Sequence, residues 1–240
     1  ELVHLLLDGA MWGDQPLGRD IAGDEAAVAA YTHAQVLMHW QRYYTRANTV
    51  ISIAGNVNAE RAAQAILYAF DALPVGAPAI FVPSAPPQPG PALALRADDS
   101  EQGNFCLGFP GIAQNDPDRR AMQVFDTVLG GGMSSRLFQE IREEQGLAYS
   151  VGSYSREHHD AGKWVVYGSV DPDNLEPCVA TTMRELRAAR TSGITDEELA
   201  RVKEQVKGGI LLSLEDTWSV ASRNGSHQLR YGRVIPVEQV

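Results

Sequence analysis

Cysteine is scarce in this chain, with only Cys106 and Cys178 among 240 residues. Two thiols so far apart cannot build a thiolate metal cluster, and their settings, NFCLGF and EPCVA, suit small buried side chains without a redox role. Neither His-x-x-Glu-His nor His-Glu-x-x-His occurs at His4, His33, His39, His158, His159 or His227, so the helical two-histidine zinc motifs are absent. A Gly-x-Ser-x-Gly nucleophile elbow is missing too. GGGMSS lacks the lysine and the spacing of a phosphate loop, so Gly130 to Gly132 argue for a turn and against nucleotide binding. No apolar run approaches the ~20 residues needed to cross a bilayer, which excludes a membrane span within the sequence. Basic residues are in deficit, 20 against 30 acidic, for a net charge of −10. That balance opposes nucleic-acid backbones and anionic membranes and favours basic or extended peptides.

What is present reads as a globular protein, with 44% hydrophobic residues and a length that suits about two domains at roughly 100 to 200 residues each. FVPSAPPQPGPALAL carries five prolines, which remove backbone donors and stiffen the chain, so 83–92 is read as a linker between 1–82 and 93–240. Before it, helical patterns lie at about 1–11, 25–42 and 59–72, and a β-branched strand at 49–55. After it, apolar runs predict strands at 93–97 and 104–109, followed by a helix capped by Asp116 with Pro117 at its first position. Strands at 147–155 and 163–170, joined by a turn at His158 to Gly162, form an antiparallel pair. Thr195 to Glu198 is a capping box opening a long helix striped by Leu199, Val202, Val206 and Ile210. This order predicts an α+β fold, an antiparallel sheet with helices packed on one face. Glu157-His158-His159-Asp160 gathers four metal-ligand types, but adjacent residues on an extended chain point to opposite faces, and the run is read as an exposed polar loop.

Residues 129–149, LGGGMSSRLFQEIREEQGLAY, are the most informative stretch. The glycines end one helix, a second begins near Ser134, and Leu137 and Ile141 share one of its faces. Its last turn carries Arg142, and Gly146 turns the chain into the strand-like run that begins at Leu147 and contains Tyr149. Spacing alone identifies no site here.

The whole segment resembles the second-domain signature of the insulinase, pitrilysin and mitochondrial processing peptidase family of zinc metallopeptidases, in a form similar to bacterial processing proteases. WGDQPLGRDIAG at Trp12 to Gly23 resembles that family's first-domain segment around Pro-Leu-Gly-Arg. YYTRANTVISIAGNV at Tyr43 to Val57 and SLEDT at 213–217 are similar to later parts of its two domains, so the likeness runs along nearly the whole chain. The resemblance implies a duplicated two-layer domain, and it implies that Arg142 and Tyr149 bind the substrate backbone, with Tyr149 able to donate a hydrogen bond to the scissile carbonyl's oxyanion.

It also implies zinc, held by His-x-x-Glu-His and a later glutamate upstream of the segment matching Glu1. The chain begins with Glu rather than Met, and the expectation is a piece of a longer protein without the metal-bearing region, and without a C-terminal strand. Glu1 is not assigned as a ligand. The expected protein is a zinc endopeptidase that encloses peptides, soluble, and cytoplasmic or periplasmic if bacterial. Its expected partners are peptide substrates and the zinc-bearing part of the protein or a zinc-bearing subunit, in a homodimer or heterodimer. The alternative is a non-zinc-binding subunit that lends Arg142 and Tyr149 to a zinc-bearing partner, or a peptide-holding scaffold.

Overall fold

A computed structural model describes residues 1–239. In chain order the main elements are α1 (Leu2–Trp12), α2 (Glu25–Ala30), α3 (His33–Tyr43), α4 (Ala59–Ala69), β1 (Gly103–Pro110) and α5 (Arg119–Gly130). A π-helical segment (Phe138–Glu144) follows, then β2 (Ala148–Glu157), β3 (Gly162–Val170), α6 (Leu175–Ser192), α7 (Asp196–Ser213) and α8 (Thr217–Tyr231). No helix among the described residues is long and apolar enough to cross a membrane. The chain divides into two compact units.

The first unit joins Glu1–Ala22 to Pro83–Val206. Its three strands lie in the order β1-β3-β2, antiparallel throughout, with Phe105 opposite Gly168 and Val151 opposite the same residue from the other side. Alternation along the strands separates two faces. One carries Phe105, Leu107, Phe109, Val151, Trp164, Val166 and Val170, packed with Leu129 of α5, Leu137 and Ile141 of the π-helical region and Cys178 of α6. The other face carries Cys106, Gly108, Tyr154, Lys163 and Tyr167 and receives α1. There Asp8 pairs with Lys163, and His4 Nδ1 lies 3.0 Å from the Tyr154 hydroxyl and 3.4 Å from Cys106 Sγ.

Close packing fixes one glycine. A Cβ on Gly130 would sit 2.3 Å from the backbone nitrogen of Ser153, so α5 can end against β2 only because the side chain is absent. Gly130→Ala is therefore expected to destabilise the protein by about 1–3 kcal/mol, read as a lowered urea midpoint. An unchanged midpoint would mean that the α5 and β2 backbones part at no cost.

The second unit joins Gly23–Val82 to the chain from Lys207 onward. Asp24 caps α2 by accepting from Ala27 N, and Thr32 with Gln35 forms a capping box on α3. The helix expected over 25–42 is thus two helices, divided where Tyr31 and Thr32 take extended backbone. Every buried hydrophobic residue in the described chain belongs to the first unit. Trp40, Tyr44, Tyr68 and Trp218 of the second are exposed.

Three further expectations fail in detail. The strands expected at 49–55 and 93–97 are extended chain without ladder partners, and Leu93 and Leu95 are 89% and 85% exposed. The helix expected to open at Asp116 starts instead at Arg119, because Asp116 Oδ1 accepts from Asp118 N at 2.8 Å and spends its cap on a turn. The capping box at 195–198 forms as expected, with Thr195 N donating to Glu198 Oε2 at 2.7 Å and Glu198 N to Thr195 Oγ1 at 3.2 Å.

Candidate functional site

Leu137 and Ile141 are both fully buried, which pins the helical backbone after the glycine turn to the core. From Phe138 to Glu144 this helix is π-helical, a geometry found mostly as short insertions and frequently at functional sites. Two ties to α6 hold it from outside. Arg184 pairs with Glu140 at 2.9 Å, and Thr181 Oγ1 donates to Gln145 Oε1 at 3.1 Å. Gly146 then adopts φ +62°, a left-handed turn cheap only for glycine, and Leu147 N donates to Ile141 O at 2.8 Å.

The first residues of β2 do not continue in register. Ala148 pairs with Val170 and Ser150 with Ser169, so Tyr149 is the extra residue of a β-bulge with no cross-strand partner. A bulge of this kind re-aims one side chain out of the strand's alternation. Tyr149 is 73% exposed while Ala148 beside it is buried.

These two irregularities bring Arg142 and Tyr149 together. The Arg142 guanidinium carbon lies 5.7 Å from the Tyr149 ring centroid and 5.0 Å from that of Phe138. Neither Arg142 nor Tyr149 makes a hydrogen bond or ion pair within the described residues. Five guanidinium N–H groups and one phenolic O–H are thus available to an incoming group. That set suits peptide carbonyls, a carboxylate or a developing oxyanion. Sequence reasoning named Arg142 and Tyr149 but missed Phe138, although its i, i+4 spacing from Arg142 was visible.

A second concavity, of 650 Å³, lies in the first unit, with His4, Asp8, Arg19, Tyr154, Arg156 and Lys163 among its lining residues. Burial pushes the Tyr154 hydroxyl up to about 12 and the Cys106 thiol up to about 11, and it lowers His4. The thiol is therefore protonated at neutral pH and no nucleophile. On α5, burial raises the Asp126 carboxyl, opposed by hydrogen bonds donated from Ser153 Oγ at 2.5 Å and Trp164 Nε1 at 2.7 Å.

The run Glu157 to Asp160 has local duties in this arrangement. Asp160 accepts from Ser84 N and Oγ at 2.7 and 3.0 Å, Glu157 accepts from Ser155 Oγ, and the His158 backbone closes the hairpin against Ala161 O. Among the described residues no three His, Cys, Asp or Glu side chains gather closely enough to hold a metal ion. The donor set of a zinc centre is not assembled by these residues.

Comparison with known proteins gives this arrangement a context. The family model described as the peptidase M16 inactive domain matches residues 30–206. An uncharacterized zinc protease of Bacillus subtilis, YmxG, is 35% identical over 240 residues, the match covering all of this chain and 58% of that protein. An uncharacterized zinc protease of Streptomyces coelicolor is 35% identical over 246 residues, covering all of this chain and 54% of its own length. The chain thus spans a little over half the length of these relatives.

Among solved structures, a peptidase M16 inactive domain from Pseudomonas fluorescens superposes with a TM-score of 0.84 at 23% identity, covering 99% of this chain and 60% of its own. A protease from Helicobacter pylori gives 0.87 at 20% identity, covering 95% and 56%. At those identities the superpositions establish the fold, and it is the α+β arrangement expected from the order of strands and helices.

Proposed function

The chain belongs to the peptidase M16 family, and on that premise we propose that it is the substrate-binding portion of a zinc metalloendopeptidase that encloses and cleaves peptides. One observation carries the reading: Arg142 and Tyr149 are exposed, adjacent and without competing partners, presented by a π-helical turn and a β-bulge. Arg142 holds the substrate backbone through its N–H groups, and Tyr149 donates to the oxyanion that forms at the scissile carbonyl.

In this reading 1–82 belongs to a first peptidase-like domain and 93–240 to a second, with 83–92 linking them. Zinc, the metal named in the relatives' descriptions, is on this reading held by another part of the protein or by a partner subunit; among the described residues no three His, Cys, Asp or Glu side chains gather to hold it. The exposed Trp40, Tyr44, Tyr68 and Trp218 support such a complement, since apolar surface of that extent ordinarily meets a partner. The assembly is a homodimer or heterodimer. A subunit that never binds zinc but lends Arg142 and Tyr149 to a zinc-bearing partner is the second reading, and the same exposed pair supports it.

The experiment is a comparison of the purified 240-residue chain with the full-length protein that contains it, on an unfolded peptide, with and without chelator. The chain alone is expected to hydrolyse nothing, and the full-length protein to show chelator-sensitive cleavage. Full-length protein active only with an added zinc-bearing subunit selects the second reading. Chelator-sensitive cleavage by the isolated chain would overturn both.

A further inference from the structure

The exposed arginine of the candidate site is an unusual cation, because neither a carboxylate nor a carbonyl holds it. Glu140, on the same π-helical segment, is committed to Arg184 at 2.9 Å. Glu143 and Glu144 are exposed and make no ion pair with it. What touches the guanidinium is aromatic, Phe138 at 5.0 Å and Tyr149 at 5.7 Å from centroid to guanidinium carbon.

We propose that Phe138 is a positioning residue, an aromatic shelf that fixes the Arg142 guanidinium beside Tyr149 while leaving all its N–H donors free for substrate. The physical logic rests on how a guanidinium is held. A carboxylate partner takes up donors and cancels charge, whereas a ring attracts the cation through its π face and leaves the donors along the guanidinium edge unspent. Phe138 is itself anchored, since Leu137 before it is fully buried and Ile141 one turn on is fully buried as well. An arginine on an otherwise exposed turn would sample many rotamers and lose that freedom on binding. Stacking on Phe138 removes part of that loss before substrate arrives.

The inference rests on the reading of Arg142 as a substrate-binding residue, and the test separates the two. In the full-length protein, Phe138→Leu is expected to raise KM for a peptide roughly two- to five-fold, the range that an exposed cation–π contact represents. Phe138→Trp should restore the wild-type value. Stepwise fluorination of the Phe138 ring, which weakens the π face at nearly constant shape, should raise KM progressively. In an Arg142→Ala background Phe138→Leu should add nothing. Unfolding midpoints should match across the series.

A second readout does not need activity. The Arg142 Nε–Hε resonance of the full-length protein should carry the shift of a proton near aromatic faces, and Phe138→Leu should remove the part that the Phe138 ring contributes while that of Tyr149 stays. An Arg142→Ala effect on KM with none from Phe138→Leu or fluorination would overturn the role of Phe138. Failure of Arg142→Ala to alter KM would remove the parent reading, and an Arg142 resonance unmoved by Phe138→Leu would remove the shelf itself.

Discussion

Tyr149→Phe in the full-length protein is expected to lower turnover by about 10²- to 10³-fold, the usual consequence of deleting one donor to a tetrahedral oxyanion. The change removes a single oxygen from a side chain that is 73% exposed and has no hydrogen-bond partner among the described residues. The ring that lies beside Arg142 is kept, so the contact at 5.7 Å survives. Thermal stability and the bulge between Ala148 and Ser150 should be unaffected, because no buried group loses a partner. KM should change little, since the lost interaction is strongest when charge develops on the substrate oxygen. Steady-state kinetics with one unfolded peptide checks this. An unchanged turnover number would take Tyr149 out of the mechanism, and a raised KM at constant turnover would make it a binding residue only.

Much of the first unit could be read from pattern. The strands around 104–109, 147–155 and 163–170, the hairpin at 158–162 and the capping box at Thr195 are local signals, and the structure contains each with bounds shifted by a few residues. Leu137 and Ile141 are buried as their spacing required. The failures have a common cause. Val50, Ile51 and Ile53, or Leu93 and Leu95, carry the β-branching or alternation of a strand, but such a pattern only permits extension. Whether an edge lies alongside is decided by the rest of the fold.

The candidate site was nameable by residue through the family resemblance and invisible by geometry. Arg142 and Tyr149 could be named from the segment around them, yet nothing in the sequence marks the extra residue opposite Val170 and Ser169 or the π-helical turn. Buried residues flank both irregularities, Leu137 and Ile141 at the π-helical turn and Ala148 and Val151 around the bulge. By pattern alone the position of Phe138 looks like ordinary helix surface. The polar cluster of His4, Asp8, Tyr154 and Lys163 could not be foreseen either, since it joins positions about 150 residues apart.

The segment that presents Arg142 depends on one further pair, and breaking it should give a large loss of stability. Arg136, two residues before the π-helical turn, donates Nε and Nη2 to the two carboxylate oxygens of Glu198, each at 2.6 Å, and Nη2 also reaches Gly193 O at 3.0 Å. The two side chains are 17% and 15% exposed, so removing one leaves a largely desolvated charge behind. Glu198→Gln should cost about 3 kcal/mol in urea unfolding at pH 7.

The pH dependence fixes the sign. The Arg136 hydrogen bonds, followed by the backbone donor of Thr195, pull Glu198 from its ordinary 4.5 to about 2. A carboxylate depressed in the folded state adds stability that is complete above the unfolded value and disappears as pH falls through the folded one. The gap between wild type and Glu198→Gln should therefore be full above about pH 5 and close as pH approaches 2. A gap of the same size at pH 7 and pH 2.5 would show that Glu198 acts through shape and the helix cap, and that its charge contributes nothing to holding Arg136.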